Sequence, residues 1–172
     1  MRFQTKNGVL IAQANGETLR IEPWGKDSLR EASTMLPEFS GKNWALTEVP
    51  EKTEAKAEQF EVDHLEIDGS MGKRTSASIT NGKIRAVVNF AGVITFYKED
   101  QEILREYHRC YDGTISKESR CLKTVNREWK GVIGGSEYGL NLKFESNDEE
   151  KIFGMGQYQQ KYMDLKGCTL EL

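Results

Sequence analysis

The run Ile84-Arg-Ala-Val-Val-Asn-Phe90 constrains the fold more than any other stretch, because Ile84, Ala86, Val88 and Phe90 recur in strict period two. That period places all four on one face only if the chain is extended. Asn81-Gly82 before the run and Ala91-Gly92 after it are turn signals, since Asn and Gly tolerate positive φ. Ala77 and Ile79 alternate upstream and Val93 to Tyr97 downstream. After the polar connection Lys98-Glu-Asp-Gln, Ile103, Leu104 and Tyr107 read as a further strand. Strands joined by such short turns run antiparallel, because a parallel pair needs a crossover of a dozen or more residues. The stretch is therefore an antiparallel meander, and a βαβ design is excluded for it.

The same grammar extends to both sides. Val9 to Ala14 alternates, Asn15-Gly16 is a hairpin signal, and Leu19, Ile21 and Leu29 continue the pattern across a break at Pro23-Trp24-Gly25. Residues 35–42 read as a connection, Trp44-Ala-Leu46 as a short apolar strand or plug, and Pro50 to Glu58 as a solvated linker or a single helical turn. Phe60, Val62, Leu65 and Ile67 form a strand with a register shift expected near His64, followed by the loop Asp68-Gly-Ser-Met-Gly72. Asp112-Gly113 and Gly134-Gly135 mark later turns. Arg120 to Trp129 is open between strand and loop, while Tyr138, Leu140, Leu142 and Phe144 alternate again. Leu165 to Leu172 reads as the start of a last strand. The expected fold is an all-β antiparallel sandwich with little helix.

Composition agrees. The chain has 172 residues, 37% of them apolar and 30% charged, which suits one domain whose sheets keep a wet face. Its formal net charge is −3, with Lys and Arg dispersed among Asp and Glu, so no basic patch for nucleic acid stands out. No apolar run approaches the roughly 20 residues that span a bilayer. The first residues, Met1-Arg-Phe-Gln-Thr-Lys-Asn-Gly8, contain no apolar signal segment, and Cys110, Cys121 and Cys168 are odd in number and lack metal-ligand spacing. We expect reduced thiols in a cytoplasmic protein without metal or cofactor.

Catalytic constellations are sparse. His64 and His108 each sit in a strand-like run and read as ordinary strand residues, although a sugar 1-epimerase would use a histidine with a carboxylate. No Gly-x-Ser-x-Gly elbow occurs. Asp63, Glu66 and Asp68 read as a solvated edge. Trp24, between Pro23 and Gly25, would cover the sandwich end or, as the lesser reading, stack on a sugar.

The least generic run is Lys151-Ile-Phe-Gly-Met-Gly-Gln-Tyr-Gln-Gln-Lys-Tyr-Met-Asp-Leu-Lys-Gly167. Gly154 and Gly156 read as a structural corner, where one of them takes positive φ or approaches backbone too closely for a Cβ. Gln157, Tyr158, Gln160, Tyr162 and Asp164 offer hydrogen bonds and flat apolar contact to a sugar or a neighbouring domain.

Glu150-Lys-Ile-Phe-Gly-Met-Gly-Gln157 with Asp164-Leu-Lys-Gly167 resembles the signature near the end of the N-terminal β-sandwich of glycoside hydrolase family 31, Met155 standing where leucine is usual. Leu19-Arg-Ile-Glu-Pro-Trp-Gly-Lys-Asp-Ser-Leu-Arg30 is similar to that family's early strand pair. Asn81-Gly82 with Gly92-Val-Ile-Thr-Phe-Tyr97 is a third, weaker match in the same order. The resemblance implies a galactose-mutarotase-like sandwich ahead of a catalytic (β/α)8 barrel, in a retaining α-glucosidase or α-xylosidase. The family's two catalytic aspartates lie on that barrel, so no catalytic residue carries over. Gly154, Gly156 and Gln157 would stand at a turn near the barrel, as docking or pocket-rim residues. The expected partners are the barrel and an oligosaccharide; the alternative is a free-standing carbohydrate-binding or adaptor sandwich. A chain cut within its domain would also self-associate through residues 165–172.

Overall fold

The computed structural model describes residues 1–41, 54–66, 68–108, 124–154 and 163–169. Among the described residues there is no helix, and eleven strands form three antiparallel sheets. Strands β1 (Arg2–Lys6), β2 (Val9–Ala14), β3 (Glu17–Pro23) and β4 (Leu29–Thr34) make a four-stranded meander. Strands β5 (Lys56–Leu65), β6 (Met71–Asn81), β7 (Ile84–Val88), β8 (Ile94–Lys98) and β9 (Gln101–Arg105) make a five-stranded one, in sequence order. The hairpin of β10 (Arg127–Gly131) and β11 (Tyr138–Leu142) is the third.

Period two decides which residues meet. Leu10, Ala12, Leu19 and Ile21 point inward from the first sheet, and Ala77, Ile79, Ala86, Val88 and Ile94 from the second, with Phe3 completing the buried cluster. Leu29, Ala57 and Phe96 pack at its margin. This aliphatic layer between two sheets is the sandwich that the alternation implies. Asn15 (φ 51°) and Gly16 (φ 84°) give the β2–β3 hairpin a left-handed pair of turn residues, matching the twist of the strands. Buried Asn81 fastens the sheets across one end: its Nδ2 donates to the carbonyls of Gly25 and Ser28, both at 2.7 Å.

Four expectations change. β5 begins at Lys56, inside the stretch read as linker, and pairs with β6 without interruption from Lys56↔Thr80 to Leu65↔Met71. No register shift occurs at His64, because Leu65 stays 54% exposed and the strand has no need to turn it inward. β7 stops at Val88, where the Asn89 side-chain oxygen accepts the amides of Ala91 (2.9 Å) and Val93 (3.0 Å) and folds the chain into a turn. Phe90 therefore leaves the strand and packs against His64, with ring centroids 4.6 Å apart. Residues 165–169 are not a strand: the Cys168 amide bonds to the Leu165 carbonyl at 3.0 Å and Gly167 has φ 78°, which closes a turn. Trp44-Ala-Leu46 and Asp112-Gly113 lie outside the described residues.

Candidate functional site

The strongest concentration of chemistry is a charged seam where the hairpin closes the gap between the two sheets. Glu17 in β3, with Glu31 and Ser33 in β4, occupies inward positions in phase with Leu19, Ile21 and Leu29. Glu106, fully buried, follows β9 in phase with Leu104, and Arg127 and Trp129 share one face of β10. Arg127 ties these together. Its Nε donates to Glu17 Oε1 at 2.6 Å, its Nη1 to Glu106 Oε1 and Oε2 at 2.5 and 2.7 Å, and its Nη2 to the Gly92 carbonyl at 2.8 Å. Gly92, with φ 84°, offers that carbonyl from a left-handed turn that other residues rarely adopt.

Glu106 and Glu17 Oε1 each accept further hydrogen bonds. Glu106 Oε2 also accepts from Asn126 Nδ2 (2.6 Å) and from the amide of Ile94 (2.8 Å). Glu17 Oε1 also accepts from Ser33 Oγ (2.5 Å) and Trp129 Nε1 (3.2 Å). Burial would raise the Glu17 pKa, but the Arg127 charge and these hydrogen bonds outweigh it and hold the pKa below the usual glutamate value. Burial also works against the charge of Arg127, and Glu106 and Glu17 more than restore it, so its pKa rises. Glu31 is the surplus carboxylate. Desolvation first, then the Glu106 charge, pushes its pKa up to about 7, against a smaller opposing pull from Arg127.

A low-pKa carboxylate near a high-pKa one is the pattern of an acid–base pair. Here the low-pKa member is tied into the fold, since Glu17 Oε1 serves Arg127, Ser33 and Trp129, and neighbouring Glu106 serves Arg127, Asn126 and the Ile94 amide. The seam is therefore a structural lock. A recess of about 420 Å³ opens beside it, walled by Met1, Met35, His108, Asn126 and Trp129 among others.

The sequence-singled corner is a separate feature. Gly154 has φ 92° and nothing within 4 Å of where a Cβ would stand, so its requirement is conformational rather than steric. Asp164 latches the two arms of the corner. Its Oδ1 accepts the amides of Ile152 (3.0 Å) and Lys166 (3.1 Å), while the Leu165 amide donates to the Ile152 carbonyl at 2.7 Å. Those backbone hydrogen bonds lower the Asp164 pKa. Gly156, Gln157, Tyr158, Gln160 and Tyr162 lie outside the described residues.

The remaining candidates take structural places. Trp24 is half-buried on the outer face of the four-stranded sheet, with the Arg30 guanidinium 4.7 Å above its ring, so that face is already occupied. Glu66 pairs with Arg74 at 2.6 Å, and Asp68 caps the Ser70 amide at 2.9 Å. Among the described residues, no group of three His, Cys, Asp or Glu side chains is placed to hold a metal ion. Cys168 is exposed and free; Cys110 and Cys121 lie outside the described residues.

Comparisons with known proteins give one consistent neighbour. No protein-family model matches the chain. It is 38% identical over 165 residues to a Pseudescherichia vulneris protein named family 31 glucosidase ORF2, a match covering 91% of this chain and 28% of that protein. It also superposes, with a TM-score of 0.79 and 36% identity, on the crystal structure of a family 31 α-xylosidase from a soil metagenome, solved with xylose. That match covers 99% of this chain and 24% of the α-xylosidase, so the chain spans only about a quarter of the relatives it matches.

Proposed function

The chain is related in sequence and fold to family 31 glycosidases, and on that premise we propose that it is the non-catalytic N-terminal β-sandwich of a retaining α-glycosidase of glucosidase or xylosidase type. The observation that carries this reading is the asymmetry of the matches: nearly all of this chain, but only 28% and 24% of the relatives, takes part. The seam supports it, since Glu17 and Glu106 are held by Arg127 in a structural role. In this reading the sandwich is of the galactose-mutarotase-like kind. A catalytic (β/α)8 barrel is its partner, and an α-linked oligosaccharide is that barrel's substrate. On the same reading Gln157, Tyr158, Gln160, Tyr162 and Asp164 serve the docking of the barrel or the rim of its sugar pocket, with Gly154 as a structural corner beside them. Exposed Ile152, Phe153 and Met163 support self-association of the isolated chain near its C-terminal end.

The test is a domain exchange. The isolated chain should release no nitrophenol from nitrophenyl α-glucoside or α-xyloside. A chimera in which it replaces the matched quarter of the soil-metagenome α-xylosidase should hydrolyse the xyloside. Turnover by the repurified isolated chain, or a chimera that folds without activity, would overturn the reading.

A further inference from the structure

The β10–β11 hairpin has one face that the described residues of the chain leave uncovered. In its register Arg127 lies opposite Leu142, Trp129 opposite Leu140 and Gly131 opposite Tyr138, so these six residues share a face. Phe144 continues it, since it bridges Glu106, whose side chain points into the seam. On the β10 side, at Arg127, this face meets the interior of the sandwich. On the β11 side Tyr138, Leu140, Leu142 and Phe144 are 44%, 44%, 37% and 40% exposed. The opposite face carries Glu128, Lys130, Asn141 and Lys143, with Glu128 held between Lys130 (3.5 Å) and Lys143 (3.8 Å), and is already suited to water. The strand therefore has the strict alternation of a half-buried strand, yet its apolar half meets water like its polar half. Val132 (50%) and Ile133 (102%) at the hairpin tip are exposed as well.

We propose that the row Tyr138, Leu140, Leu142 and Phe144 is a docking face for the part of a family 31 polypeptide that lies outside the matched quarter. This rests on the reading above. Three observations select that occupant. The row is continuous with the interior face of the sandwich, so its cover would extend the sandwich core. It carries no charge, so the cover is an apolar strand or helix face rather than an acidic or basic partner. About three-quarters of each relative's length is available to supply it, since the chain spans only 28% and 24% of them.

The experiment places the double substitution Leu140→Lys/Leu142→Lys in the isolated chain and in the α-xylosidase chimera. In the isolated chain both positions already meet water, so the melting temperature should move by no more than a few degrees. In the chimera the charges would be trapped under the cover. There the α-xylosidase activity should fall at least tenfold, and single-step unfolding should split into two transitions. Equal activity and one transition in both chimeras would overturn the proposal. So would loss of folding in the substituted isolated chain, which would make the row part of its own core. Dimerisation of the isolated chain through the row, with the chimera indifferent to the lysines, would assign the face to a second copy instead. If the unsubstituted chimera fails to fold or to act, the family reading falls, and this proposal with it.

Discussion

The two strands of the β10–β11 hairpin lie side by side and meet opposite fates. β10 carries Arg127 into the gap between the sheets, where a charge that water would normally hold is surrounded by Glu17, Glu106 and the Gly92 carbonyl. β11 carries leucines and aromatics on the same face, yet leaves each more than a third exposed. A polar group is inside and an apolar row is outside within one register. The contrast separates two tasks. The seam closes the sandwich on itself, and its charges survive burial because nearly every donor and acceptor is matched. The row has no such closure within the described chain, and its chemistry asks for a partner.

The sharpest way to break the contrast is Arg127→Met. It removes the only cation among the described groups of the seam and leaves Glu106 buried beside Glu31. Removing one member of a buried pair costs on the order of 3–5 kcal/mol, so urea unfolding should show a loss of that size. A change below about 1 kcal/mol would mean that the seam is merely decorative.

Glu31→Gln sharpens the same point through pH. The folded-state pKa of about 7 stands above the ordinary value of 4.5, so the folded chain keeps a proton that the unfolded chain releases. Stability from this group is full below pH 4.5, falls as pH rises, and levels off above about pH 7, a loss on the order of 3 kcal/mol. The glutamine variant should lose that decline and be the more stable protein at pH 8. Glu17, with its lowered pKa, acts in the opposite window: its contribution disappears only as the solution becomes more acidic than 4.5. Melting curves from pH 4 to pH 9 for both proteins would read this directly.

Gly92→Ala should cost about 1–2 kcal/mol, because φ of 84° is a left-handed conformation that strains any Cβ and the carbonyl it aims is one of the Arg127 acceptors. Gly154→Ala, with open space around it, should cost about 1 kcal/mol from its φ alone. Chemical denaturation with and without each substitution would rank them. Leu140→Lys closes the series, expected within about 0.5 kcal/mol in the isolated chain, as for a surface change.

The two sheets were legible because period two and turn chemistry act locally: Ile84, Ala86 and Val88 announce their strand, and Asn15-Gly16 its hairpin. The seam was not read, although a trace of it was present. Glu17, Glu31 and Glu106 each keep step with inward apolar neighbours (Leu19, Leu29 and Leu104), and a charge in phase with a core face signals a buried pair. What no local pattern supplies is the partner, since Arg127 lies 110 positions from Glu17. The register shift expected at His64 failed for a related reason. It assumed that Leu65 must be buried, whereas β5 leaves it in water. At the corner the motif's glycine spacing is local, and Gly154 has φ 92°, but the bond from the Ile152 amide to Asp164 spans twelve residues, which no local pattern announces.

If β11 is covered in a longer polypeptide, as proposed, its amides change protection there while those of the seam do not. Amide hydrogen exchange on the isolated chain and on the α-xylosidase chimera tests it most directly. Residues 138–144 should exchange fast in the isolated chain and slow by at least tenfold in the chimera, while the amides of Ile94 and Glu106, each hydrogen-bonded in the seam, should be slow in both. Equal protection of 138–144 in the two proteins would contradict it.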